Sequence, residues 1–112
     1  MTTHRGYDLP LDPGHFRAAR EVAGLTQQDV AEWADVTDRS ARRWDVTHPA
    51  PDEVARWVLD ELEKVLADAR ALLDASTDGT VPAGETVRDR AVVTAALLFA
   101  RDEGLDLRVV GP

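Results

Sequence analysis

Between Pro13 and Asp45 the chain starts and stops a helix three times, and no other feature of the sequence constrains the fold as tightly. Phe16, Ala19 and Ala23, with Val22 beside them, recur at helical spacing, and Gly24 closes the segment as a C′ glycine does. Thr26 then stands as an N-cap with Asp29 three residues on, a capping box with a shortened acid. Val30, Ala31 and Ala34 share one side of the short helix that follows. Asp35-Val36 breaks it, and Thr37 caps a third helix running from Asp38 to Asp45 with Trp44 near its end. Helices this short cannot all be covered by one another. If the third crosses the second at the small Ala31, with Val36 plugging the turn, one of its faces is left in solvent.

That face is chemically distinct. Ala41 and Trp44 are spaced to point inward, which leaves Asp38, Arg39, Arg42 and Arg43 outside. The window from Arg39 to Arg43 holds three Arg and no acid, in a chain whose net charge is −8. The acidic excess lies elsewhere: residues 1–50 carry 6 Arg against 8 acids, residues 51–112 carry 7 Lys and Arg against 13 acids. Such an overall charge argues against indiscriminate nucleic-acid binding, which feeds on long-range positive potential, but leaves a local basic face possible.

The rest of the chain divides simply. Residues 1–12 are polar, contain Pro and lack periodicity, and are expected to form a flexible arm. Residues 13–50 hold the three short helices, and Val46 to Pro51 is a proline-bracketed loop. Residues 51–112 begin with a long helix from Pro51 to about Asp74, favoured at its start by Asp52 and Glu53. Val58, Leu62, Val65, Ala69 and Leu72 form its apolar stripe, with Leu59, Leu66 and Leu73 beside it. Ala75 to Gly84 is a break, a helix spans roughly Glu85 to Glu103, and Leu105 to Val110 reads as one short strand. The expected fold is mainly α: a three-helix N-terminal unit, a long helix, a C-terminal helix and one short β-strand.

Several chemistries are excluded or unsupported. The chain has no Cys, which removes a disulfide framework, a Cys-based zinc site, a thiol nucleophile and an iron–sulfur cluster. His4, His15 and His48 lack metal-ligand spacing, so no metal or other cofactor is expected. No nucleophile elbow or phosphate loop is present, and no enzymatic activity is expected. Asp60, Glu61 and Glu63, like Asp102 and Glu103, read as solvated helix faces. With no apolar run near the roughly 18 residues of a span and no signal-peptide core, the expectation is a cytoplasmic protein without a membrane partner. A preference for Arg over the single Lys64, with abundant Ala, Asp and Val, suits a high-GC bacterium or its phage.

The stretch from Phe16 to Arg56 resembles the helix-turn-helix of the Cro/repressor (XRE-like) class. The matching residues are Gly24-Leu25-Thr26-Gln27, Ala31, Val36-Thr37 and Arg42-Arg43-Trp44 followed by Asp45. Asp35 replaces the glycine usual in the turn, and Ala41 replaces a larger aliphatic. The resemblance implies a λ-repressor-like unit whose third helix enters the major groove of double-stranded DNA. Asp38, Arg39, Arg42 and Arg43 would then contact bases, Arg by bidentate bonds to guanine, Asp38 either accepting from cytosine or orienting Arg42. It also implies phosphate contacts by Gln27 and Gln28, with Thr37 and Ser40 adding hydroxyls. The ending from Arg90 to Gly111 is more distantly similar to YdiL-like proteins and anti-CRISPR-associated autorepressors, which pair such a unit with a C-terminal dimerisation region.

These features together predict a homodimeric transcriptional regulator, an autorepressor binding an inverted-repeat operator. The stripe of the long helix satisfies two packings, inside one chain or between two. The dimer interface expected from the second is Leu62, Val65, Leu72, Phe99 and Val109, with the last strand pairing across a two-fold axis. Two other functions fit the same residues: an antitoxin whose acidic half masks a basic toxin, and an interaction module that has lost DNA binding.

Overall fold

The residues that announce each helix also build its start. The structure, a computed structural model, describes residues 2–111. Its elements in chain order are β1 (Thr2–His4), β2 (Tyr7–Leu9), α1 (Pro13–Val22), α2 (Gln27–Ala34), α3 (Asp38–Trp44), α4 (Asp52–Ala75), β3 (Thr80–Pro82), α5 (Val87–Asp102) and β4 (Arg108–Val110). The fold is mainly α-helical, as expected. Thr26 and Asp29 form the reciprocal capping box at the start of α2, and Thr37 Oγ1 accepts from the Ser40 amide at the start of α3. Asp35 carries the chain between α2 and α3 in the left-handed region, φ 57°, which Asp tolerates better than most residues. Thr86 and Asp89 repeat the capping box on α5.

Two apolar clusters make the interior. The first gathers Leu9, Leu11, Phe16, Val30, Ala31, Ala41 and Ala50 around Val54, Val58 and Leu59 of α4. The second places Ala69 of α4 against Ala95 and Ala96 of α5, with Leu66, Leu72, Val92, Phe99 and Leu107 around them. α4 is therefore shared: its first half completes the N-terminal unit and its second half is the floor for α5. The expected division at residues 50 and 51 cuts through the first cluster, because the short helices of residues 13–50 cannot bury Phe16 and Val30 without Val54 to Leu59.

Three expectations are corrected. Residues 1–12 are not an unstructured arm over the part described; Met1 lies outside it. β1 and β2 pair antiparallel around a two-residue turn, Arg5-Gly6, and Leu9 and Leu11 are buried. The hairpin is tied to α4 at Asp60, where His4 Nε2 and Arg5 Nε both lie 2.7 Å from Oδ1. Second, the C-terminal strand does not await a partner chain. β4 pairs in parallel with β3, which forms inside the segment expected as a break, in the register Thr80–Arg108, Val81–Val109 and Pro82–Val110. Val81 of β3 is buried. Third, Val65 is 0% exposed within the single chain and has no surface left for a dimer contact. Of the other residues expected there, Leu62 packs on the first cluster, Leu72 and Phe99 on the second, and Val109 is exposed on β4. Val22, placed beside the inward row of α1, is 48% exposed.

No helix among the described residues is long and apolar enough to cross a membrane.

Candidate nucleic-acid interface

The basic face exists because α3 is held from behind. Ala41 is buried, and Trp44 meets Phe16 of α1 edge-on with ring centroids 6.4 Å apart. Beyond Trp44, Asp45 is buried and serves as an anchor: Arg20 of α1 donates to its carboxylate through Nε (3.2 Å) and Nη2 (2.7 Å). The third guanidinium nitrogen of Arg20 donates to the Leu25 carbonyl at 2.8 Å. Gln27, the first residue of α2, donates its side-chain amide to Asp45 Oδ2 at 2.9 Å. One carboxylate thus joins α1, α2 and α3. Each group in this buried network has a partner, the condition under which a buried charge pair is tolerated.

With their backs fixed, Asp38, Arg39, Arg42 and Arg43 are all exposed. None of the three arginines makes an ion pair among the described residues. Neither carboxylate of α3 pairs with them: Asp45 is turned inward to Arg20 and Gln27, and Asp38 makes no ion pair among the described residues. Most other cations are committed, Arg17 to Glu21, Arg70 to Asp74 and Glu103, Arg88 to Asp68. An acidic chain that leaves three neighbouring arginines without a carboxylate offers a positive face able to meet an anionic surface.

The residues expected to contact phosphate fare differently. Gln28 is exposed and donates to Glu32 at 3.3 Å, a bond readily exchanged in solvent. Gln27 is half-buried and donates through its amide nitrogen to Asp45, so it works as an internal brace. Asp29 also sits in the first turn of α2, where its carboxylate opposes a second anion. Thr37 is exposed, and its hydroxyl caps α3 while donating to Ser40 Oγ at 3.2 Å. Ser40 is half-buried. The positive face is therefore concentrated on α3.

Sequence reasoning missed the Arg20–Asp45 pair. The signal was present: Arg20 lies on the inward row of Phe16, Ala19 and Ala23, where an ionised side chain requires a buried partner. Trp33 is 46% exposed and stacks on Trp57 of α4, the rings 4.6 Å apart and 6° from parallel.

Fold and site define a mainly α-helical chain that presents one braced, basic short helix. In comparisons with known proteins the chain matches no family model, no curated protein and no solved structure.

Proposed function

We propose that this chain is a sequence-specific DNA-binding transcriptional regulator, acting as a homodimeric autorepressor of a bacterial or phage promoter. The reading takes α2, the Asp35 turn and α3 as a Cro/repressor-class helix-turn-helix, with α3 as the helix that enters the major groove. The observation that carries it is the trio Arg39, Arg42 and Arg43: exposed, without carboxylate partners, and on a helix fixed from behind by the Arg20–Asp45–Gln27 network. Rigid support matters because base readout needs side chains within hydrogen-bond reach of a fixed pattern of donors and acceptors. The acidic remainder of the chain lowers affinity for DNA of arbitrary sequence, leaving specific contacts to decide where the protein rests. Repression then needs no chemistry. Two copies on an inverted repeat occupy the promoter and exclude polymerase.

Fluorescence anisotropy on the DNA upstream of the chain's own coding region tests this, against a scrambled duplex at physiological salt. Saturable binding to the first, weak binding to the second, and loss of the difference in Arg39→Ala and Arg43→Ala support the reading. Equal binding to both duplexes, or none to either, refutes it. In the latter case the stacked and exposed Trp33 favours the second reading, a protein-interaction module.

A further inference from the structure

One face of the molecule carries an apolar knob and an apolar hollow side by side. Leu98 of α5 is 60% exposed. Beside it lies a hollow of about 300 Å³ whose walls are Val22 of α1, Leu66 of α4, and Ala91, Ala95 and Phe99 of α5, with Leu98 itself on the rim. Val22, which packing within the chain leaves 48% exposed, is explained if this wall is meant to be covered.

We infer that this face is where two copies of the chain meet across a two-fold axis, the Leu98 side chain of each copy filling the hollow of the other. The inference rests on the dimer in the proposed function and names its surface, which shares only Phe99 with the one the sequence suggested. Three observations commit the occupant to a second copy. A two-fold interface must be self-complementary, so knob and hollow have to lie on the same patch; on different patches they would generate an open chain of subunits. Here they are adjacent. Ala91, Thr94, Ala95 and Leu98 also recur along one side of α5 at helical spacing, and the small residues leave room for another helix to approach. Last, each copy carries a net charge of −8, so most surfaces would set like charges against one another. The only ionisable residue in the walls is Glu21, already neutralised by Arg17 at 2.9 Å. The DNA-binding site is incomplete without this partner, since α3 has seven residues and covers one half-site.

The test uses the full chain. Mass by light scattering at tens of micromolar, helical content by circular dichroism and operator affinity are measured for the native protein, Leu98→Glu, Val22→Glu and Val109→Glu, with Arg39→Ala as a separate arm. The expected result is a dimer for the native protein and for Val109→Glu and Arg39→Ala, and folded monomers for Leu98→Glu and Val22→Glu. Operator affinity of those monomers falls by about a hundredfold or more, as avidity is lost while every arginine of α3 remains. A native monomer overturns the inference. So do folded dimers of both Leu98→Glu and Val22→Glu, which would place the interface elsewhere. If Leu98→Glu loses helical content, Val22→Glu on a different helix decides. Loss of operator binding in Arg39→Ala is independent of these masses, so the DNA-binding reading and the interface can fail separately.

Discussion

Arg20 near the end of α1 and Asp45 at the end of α3 are joined by two hydrogen bonds, of 3.2 and 2.7 Å, and both residues are buried. The pair fixes the angle at which α3 leaves the body of the protein, and Gln27 of α2 closes the network from the third side. The orientation of α3 and the stability of the chain thereby depend on the same carboxylate.

Asp45→Ala should therefore destabilise the chain by about 3–5 kcal/mol, the usual consequence of leaving a buried charge without its partner. Chemical denaturation followed by circular dichroism measures this. Replacing both residues together, as Arg20→Met with Asp45→Leu, should recover much of that loss, because no charge is then stranded. A double variant no more stable than Asp45→Ala would mean that the pair is not the source of the penalty.

Arg39→Ala and Arg43→Ala should each weaken operator binding by about 1–3 kcal/mol while leaving the thermal unfolding midpoint close to native, because both side chains face solvent. The salt dependence separates the roles. A base contact leaves the slope of log K against log salt nearly unchanged, whereas a lost phosphate contact reduces it by about 1. Arg42→Ala belongs in the same series.

Gly24→Ala should cost more than Gly104→Ala. Both glycines have a left-handed φ, 71° and 72°, which exacts about 1–2 kcal/mol from a residue with a Cβ. At Gly104 a Cβ meets nothing within 4 Å. At Gly24 it would lie 2.9 Å from the Arg88 Cα and 3.0 Å from the Ala91 Cβ, so the junction of α1 with α5 would have to open. The difference between the two urea-denaturation free energies measures that close approach, and equal costs would argue that α5 yields freely.

Acid should release the N-terminal hairpin before the helices unfold. The Arg5 guanidinium, and then His4, hold the Asp60 carboxyl below the ordinary carboxylate value of 3.8. A depressed carboxylate contributes stability that is complete above its unfolded-state value and disappears as the pH falls through the lower folded-state value. Backbone amide shifts of Thr3 and Tyr7 should thus move as the pH falls below about 4, and Asp60→Asn should produce the same movement at neutral pH. Shifts indifferent to Asp60→Asn would show that Leu9 and Leu11 alone dock the hairpin.

How legible these features were depends on how local their causes are. Thr26 with Asp29, the Asp35 turn, Thr37 and the Pro51 start of α4 act within one helical turn, and the helices begin close to where those residues place them. The exposed positions of Arg39, Arg42 and Arg43 followed from the inward spacing of Ala41 and Trp44 alone. The hairpin was not readable, because strands as short as β1 and β2 depend on distant residues, Asp60 of α4 at the turn and the first apolar cluster around Leu9 and Leu11. β3 was hidden for the same reason: Thr80 to Pro82 is a strand only because Arg108 to Val110 pairs with it. Val65 and Leu62 share a stripe with Leu72, and a stripe repeats identically whether it faces its own chain or another. Only the actual burial of Val65 distinguishes the two.

The sharing of α4 limits how this protein can be taken apart. Val54 to Leu59 complete the cluster that contains Phe16, while Ala69 lies in the cluster of α5, so no cut in the chain separates a basic-helix module from the remainder without exposing one interior. A fragment ending at residue 50 would be left without the wall it folds against. Exchange of the two halves with another protein would have to join them inside α4, near Leu62, with the helical phase kept to the residue. Insertions and deletions in α4 should accordingly be far less tolerated than in the Ser76–Gly79 segment that follows it.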